Sequence, residues 1–179
     1  VRDILSDNIL DGTVDAALFS TYTFSRSYFE DEVLAGFLCE RGLKRGKSPV
    51  TVIVDPEMFE GCGWGYDIRL YRGGRLWHPK VTALFIAERS QVVRRRTVML
   101  VGSGNLTTSG WEANLELFLA LGWDGWSLPR AIETWIDKGG FASDSSFGRW
   151  YLKSCEGRPP KYVEKALLSS FDSGEIWNQ

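Results

Sequence analysis

The chain has a single histidine, His78. Any reaction that needs two imidazoles must take the second from somewhere else. The three cysteines, Cys39, Cys62 and Cys155, are odd in number and widely spaced, and no CxxC occurs. That pattern argues against a disulfide framework and against a zinc site, and it leads to the expectation of an intracellular, cytoplasmic protein. No apolar run approaches the ~18 residues of a membrane-spanning helix, so no membrane partner is expected. The opening VRDILSDNILDG carries Asp3, Asp7 and Asp11 and lacks the apolar core of a secretion signal. There is no internal repeat and no low-complexity segment.

What is present is an ordinary globular composition. Of the 179 residues, 44% are apolar and 25% charged, and a chain of this size removes roughly 70% of its unfolded surface from water. The net charge of −2 hides an uneven distribution. Residues 41–96 hold twelve Lys/Arg against five Asp/Glu, while the remainder is acidic overall. A basic middle third either faces a polyanion or is dispersed over the surface by folding.

VDAALFSTYTF (14–24) is rich in β-branched and aromatic residues and reads as a strand. Ser27 and Glu30 form a capping-box pattern. Val33, Leu34, Phe37 and Leu38 then repeat at helical spacing, and Gly42 fits the stop. PVTVIVD (49–55) is apolar enough to be buried on both faces. Strand, helix, strand in this order predicts a parallel βαβ unit. Residues 56–75 are Gly-rich and irregular, with IRLYR a short strand within them. LWHPKVTALFI (76–86) and TVMLVGS (97–103) read as paired strands joined by a charged hairpin connection, AERSQVVRRR. GNLTTSGWEAN is a polar loop and LELFLALG (115–122) another buried strand. Beyond Gly125, Pro129 starts a helix with Ile132, Trp135 and Ile136 as its stripe and Gly139-Gly140 as its end, and Pro159-Pro160 precede a last helix bearing Tyr162, Val163, Ala166 and Leu167. The expectation is an α/β fold: a mixed, largely parallel sheet flanked by helices, with a core over 1–125 and a helical part over 126–179 packed on the same domain.

The chemistry concentrates around the one imidazole. His78 and Lys80 are two apart in a predicted strand and so share a face. Ser103 and Asn105 are two apart at the end of the returning strand, with Gly102 and Gly104 allowing close backbone approach. If the strands pair as a hairpin, an imidazole, an ammonium, a hydroxyl and an amide converge at one sheet end. Such a set suits a phosphate.

His78-Pro79-Lys80 followed by Gly102-Ser103-Gly104-Asn105 resembles the HxK…GSxN pattern of the phospholipase D superfamily, and Asn114-Leu115-Glu116 matches an acidic position of family nucleases. The resemblance covers roughly 14–122, making 1–125 a phospholipase D-like catalytic core. It departs at Phe85, where the pattern HxKxxxxD has Asp; the tyrosyl-DNA phosphodiesterase branch lacks that Asp too. The resemblance implies a metal-independent phosphodiesterase without cofactor. His78 would attack phosphorus through Nε2 to form a phosphohistidine, Lys80, Ser103 and Asn105 would hold the equatorial oxygens, and Glu116 would accept from Nδ1–H. A second imidazole would protonate the leaving group. Its source would be a homodimer or a second phospholipase D-like half in a longer chain.

The expected partner is nucleic acid, DNA before RNA, and the expected activity that of a nuclease. Arg94, Arg95 and Arg96, with Arg89, read either as a grip on backbone phosphates or as a solvated hairpin tip. Trp77 and Trp111 are the tryptophans best placed to stack on bases, with core packing as the alternative and Trp64 as a third candidate. Asp55 and Glu57, past a strand end, are a carboxylate pair with no companion metal-binding pattern. Two other readings stand beside the nuclease: a lipid-directed enzyme of the same superfamily, for which no basic amphipathic helix is seen, and a non-catalytic module that binds nucleic acid or mediates assembly.

Overall fold

The computed structural model describes residues 1–9, 12–59, 61, 63–71, 76–89, 93–138, 145–155, 157–161 and 163. The chain opens with a helix that the sequence pattern did not predict, α1 (Arg2–Ile9), which buries Leu5 and Ile9. Strand β1 (Gly12–Thr21) follows and lies at the centre of the sheet. After it, α2 (Arg26–Tyr28) runs on as a π-helical stretch, Phe29–Cys39. The predicted apolar stripe holds: Val33, Leu34, Phe37 and Leu38 are all buried. The predicted capping box does not. Ser25 is the N-cap and its side chain makes no capping bond. Glu30 instead accepts from Arg26 Nε (2.9 Å) and from the Tyr66 hydroxyl (3.1 Å), because a guanidinium and a phenol outbid a backbone amide for a carboxylate. Gly42, at φ +86°, turns the chain just past the helix, and Leu43 N–H donates to the Leu38 carbonyl at 3.0 Å.

Strand β2 (Val50–Val54) is buried at every position and pairs parallel with β1. β3 (Asp67–Leu70) pairs parallel with β2. β4 (Val81–Arg89), β5 (Val93–Gly102) and β6 (Phe118–Asp124) complete one six-stranded sheet in the order β3-β2-β1-β4-β5-β6. Two pairings are parallel and three antiparallel, so the sheet is mixed rather than largely parallel. Only residues 90–92 separate β4 from β5, far too few for the crossover that parallel neighbours need.

Three predicted elements start or end differently. The strand expected from residue 76 joins the ladder only at Val81; Pro79 has no N–H to give, so Leu76–Lys80 is a lead-in outside the strand. The polar loop after β5 contains a π-helical turn, Ser109–Ala113. The strand expected at 115–122 begins at Phe118, and it is a half-exposed edge rather than a buried strand, with Leu115, Leu117 and Leu119 in solvent.

Helices cover both faces. Leu5, Ile9, Phe29, Val33, Leu34 and Leu38 form one core with β1, β2, β4 and β5 side chains. The opposite face packs under α3 (Arg130–Lys138) and α4 (Ser146–Ser154), through Ile132, Phe147 and Tyr151. The sequence reading missed α4, although Ser145 signals it: its hydroxyl accepts from Gly148 N–H at 2.8 Å. Phe85, at the position where the resembled pattern has Asp, is fully buried between the rings of Phe147 (5.4 Å), Trp150 (5.2 Å) and Tyr151 (6.0 Å). The side chains of Trp135 and Ile136, the Gly139-Gly140 stop and most of the predicted last helix lie outside the described residues. Among those described, no helix is long and apolar enough to cross a membrane.

Candidate active site

The β4–β5 register decides where the motif residues meet. Val81 pairs with Val101, and Gly102 N–H donates to the Lys80 carbonyl at 3.1 Å. The start of β4 and the end of β5 are therefore one place. β6 adds a third contributor, since Gly102 pairs with Phe118 and Ser103 N–H donates to the Leu117 carbonyl at 3.1 Å. β1 ends beside them, with Ser20 opposite Val81. His78, Lys80, Ser103, Asn105 and Glu116 thus gather at one end of the sheet, the carboxyl end of the parallel strands, where open α/β sheets bind ligands. The glycines of Gly102-Ser103-Gly104 are needed for closeness. A Cβ on Gly102 would overlap the Phe118 ring and the Leu117 carbonyl, and one on Gly104 would overlap the Gly110 carbonyl.

Lys80 is the centre of the set. It is only 6% exposed. Its Nζ stands 2.9 Å from Nδ1 and 3.0 Å from Nε2 of His78, and it donates to the His78 carbonyl at 3.1 Å. Burial pushes its ammonium down to about 8, with the charge of Glu116 opposing. An ammonium only donates, so the ring nitrogen it meets must be bare. His78 is set up for that: burial, then the Lys80 charge, hold its pKa below the ordinary imidazole value, and Asp55 opposes. A cavity of about 10 Å³ beside Lys80, reaching Gly104, Trp111 and Phe118, has room for about one water and no more.

A second layer fixes the segment that carries His78. The Asp55 carboxylate accepts from Trp77 N–H (2.6 Å) and from Glu57 N–H (2.9 Å). Trp77 Nε1 donates to the Ser20 hydroxyl (3.0 Å), which donates to the Pro79 carbonyl (2.8 Å). Asp55 thus serves as an anchor, with one backbone amide on each of its oxygens. Among the described residues no cluster of three His, Cys, Asp or Glu side chains is positioned to hold a metal. The loop after β1 ties the two motif halves together. Asn105 Oδ1 accepts from Thr23 N–H at 3.1 Å, and the neighbouring Tyr22 ring lies 5.1 Å from the His78 ring. With its oxygen committed, Asn105 keeps its NH₂ for donation.

Glu116 does not take the place the resemblance implied. Its carboxylate accepts from the Ser103 hydroxyl, and Ser103 Oγ accepts from Leu117 N–H at 3.1 Å. No hydrogen bond joins it to His78 among the described residues; the carboxylate whose charge reaches His78 is that of Asp55. The expected base-stacking tryptophans are also committed elsewhere. Trp77 is 4% exposed and stacks on Tyr71 at 4.2 Å, and Trp111 is 6% exposed between Phe19 and Tyr28. Core packing, the alternative, is what holds for both. Trp64 is exposed, with Arg45 4.5 Å above its ring.

Arg94, Arg95 and Arg96 are strand residues of β5 paired with Glu88, Ala87 and Ile86, at the other end of the hairpin from Lys80. Five or more strand residues separate them from Gly102, about 20 Å. Arg95 lies over Trp126 at 4.6 Å. They stand beside the hairpin turn, away from this site, with Arg94 and Arg95 exposed as the solvated-tip reading has it. The residues that sequence reasoning missed are Ser20, Thr21 and Thr23, polar positions closing an otherwise apolar strand, and Asp55 in its anchoring role. The chain matches no family model and no curated protein.

Proposed function

We propose that the chain is a cytoplasmic, metal-independent phosphodiesterase of phospholipase D-like fold, a nuclease that acts on DNA before RNA. The observation that carries this reading is the meeting of His78 with a buried ammonium, Lys80, at the sheet end that also carries Asn105. A deprotonated imidazole is a nucleophile, and a partly desolvated cation favours the charge that gathers on phosphorus-bound oxygens.

In this reading a His78 ring nitrogen gives its lone pair to phosphorus. The P–N bond forms as the P–O bond to the leaving oxygen breaks. Lys80 and the Asn105 NH₂ donate to the non-bridging oxygens. Ser103 and Glu116, bonded to each other, brace the end of β5 against β6 and keep a negative charge near Lys80. The leaving oxygen takes its proton from a second imidazole, which then removes a proton from water; water attacks phosphorus and the P–N bond breaks. This chain has no second histidine, so a second copy supplies it. Leu76 on the β4 side and Leu115 and Leu117 on the β6 side stand exposed around the site, an apolar rim suited to a like surface across a two-fold axis. A second phospholipase D-like half in a longer chain would serve equally.

The decisive experiment is cleavage of DNA and RNA in excess EDTA by the wild type and by His78→Ala, with solution mass measured in parallel. Cleavage lost in the variant, and dimeric wild type reduced to monomer by Leu117→Asp, is the expected result. Equal cleavage by both proteins sinks the reading. A non-catalytic module that binds nucleic acid is the second reading, favoured by Phe85 in place of Asp and by Glu116 lying on Ser103. Salt-sensitive DNA binding without turnover selects it.

A further inference from the structure

At the other end of β1 from His78 lies an open groove of about 290 Å³, lined by Thr13, Asp15, Lys44, Lys47, Ser48 and Trp150 among others. Thr13 pairs with Ala87 whereas Ser20 pairs with Val81, which puts the groove about 20 Å of strand away from the motif residues. Nothing in the phosphodiesterase reading uses it.

Its walls are chemically varied and individually placed. Register along β1 shifts between Val14, opposite Ile86, and Ala16, opposite Phe85, so Asp15 is the extra residue of a β-bulge. A bulge re-aims a side chain, and here a strand that is otherwise mostly buried sets a carboxylate on the groove wall. Lys44 and Lys47 belong to one tight turn, closed by Lys47 N–H and Ser48 N–H donating to the Lys44 carbonyl (2.9 and 2.7 Å) and by Lys44 N–H donating to the Ser48 hydroxyl (3.0 Å). Both lysines are exposed, and neither makes an ion pair among the described residues. Trp150, from α4, packs on Phe85, Trp126 and Phe147 and also lines the groove.

We propose that this groove binds a nucleoside phosphate unit. Its phosphate meets Lys44 and Lys47, its sugar hydroxyls donate to Asp15, and its base lies against the Trp150 indole. A bare anion has no use for Asp15 and is repelled by it, whereas a neutral sugar has no use for two ammonium groups. Only a ligand with an anionic end, hydroxyls and a flat ring uses every wall. That chemistry comes from a free ribonucleotide or from one residue of an RNA strand.

The test follows the Trp150 indole N–H by NMR, assigned with Trp150→Phe, during titration with adenosine 5′-monophosphate, inorganic phosphate or a short single-stranded oligouridylate. AMP or the oligonucleotide is expected to shift that resonance, and Lys44→Glu/Lys47→Glu to weaken binding by about ten-fold or more. Asp15→Asn is expected to weaken AMP while leaving phosphate no weaker. Tighter, salt-sensitive binding of the oligonucleotide assigns the groove to a strand, and tighter binding of AMP assigns it to a free nucleotide. His78→Ala binds as the wild type does, which separates this result from any outcome on cleavage. The proposal is overturned if neither AMP nor the oligonucleotide moves the resonance, if the double lysine variant binds as well as the wild type, or if phosphate binds as tightly as AMP.

Discussion

The two ends of the β4–β5 hairpin hold cations in opposite ways. At one end a single ammonium, Lys80, is buried, touches an imidazole and has its pKa drawn down to about 8. At the other, Arg94 and Arg95 stand in water, one across from Glu88 and one over an indole. The sequence is more basic at the second end, yet the candidate site lies at the first. Screening explains the difference. An exposed cation is neutralised by solvent and salt, while a desolvated one keeps most of its field for whatever enters beside it. Counting charges along a chain locates surface, and burial locates reactivity.

Substitutions at the two ends should therefore differ sharply. His78→Ala is expected to cost at least roughly 10⁴-fold in cleavage rate, read on a labelled oligonucleotide in EDTA. Phe85→Ala, in mid-hairpin, is expected to cost about 3–5 kcal/mol of stability by leaving a cavity among Phe147, Trp150 and Tyr151, read by urea unfolding. An Asp placed there would be worse, since a carboxylate in that aromatic nest has nothing to pair with. Asp55→Ala strands the Trp77 and Glu57 amides and is expected to cost about 1–3 kcal/mol. It should also lower the cleavage rate, because the segment carrying His78 loses its tether. Arg94→Gln should change stability by no more than about 0.5 kcal/mol and leave cleavage of a short substrate unchanged. A large effect there would break the contrast.

The pH profile sharpens the same contrast. In the proposed reaction His78 must be deprotonated to attack, and its pKa is lowered, so activity should rise with pH through a limb below the usual imidazole value of about 6.5. Activity should fall at higher pH as the second imidazole loses the proton it gives the leaving oxygen, and again as Lys80 loses its own proton near pH 8. Lys80→Arg, which keeps its charge, should remove the step near pH 8 while lowering the maximum. An unchanged step near pH 8 in that variant would detach it from Lys80.

Much of this was legible in the sequence because it is local or periodic. The apolar runs of β1 and β2 and the stripe from Val33 to Leu38 needed no partner to be recognised. His78, Lys80, Ser103 and Asn105 were found from their motif spellings and from the expected hairpin, although none of the four lies in the ladder: His78 and Lys80 precede β4, and Ser103 and Asn105 follow β5. What was not legible depends on partners distant in the chain. Glu30 looked like half of a capping box until Arg26 and Tyr66 claimed it. Glu116 looked like the partner of His78 until the pairing of β5 with β6 set it on Ser103. Trp77 and Trp111 looked free to stack on bases because nothing in their neighbourhood in sequence announces Tyr71, Phe19 or Tyr28. The hairpin at 90–92 and the mixed sheet were read from the sequence, but the βαβ pattern made the parallel share look larger than the two pairings of five that the sheet has.

The backbone bond from Gly102 to the carbonyl of Lys80 has an evolutionary corollary. The interval between the two halves of the motif is simply the length of a there-and-back excursion along β4 and β5. Adding the same number of residues to both strands would lengthen the excursion and bring the chain home to the same rung. The interval is therefore free to drift among descendants while the local spellings around His78 and Asn105 are held, and a search that fixes the gap would pass over proteins built on the same plan.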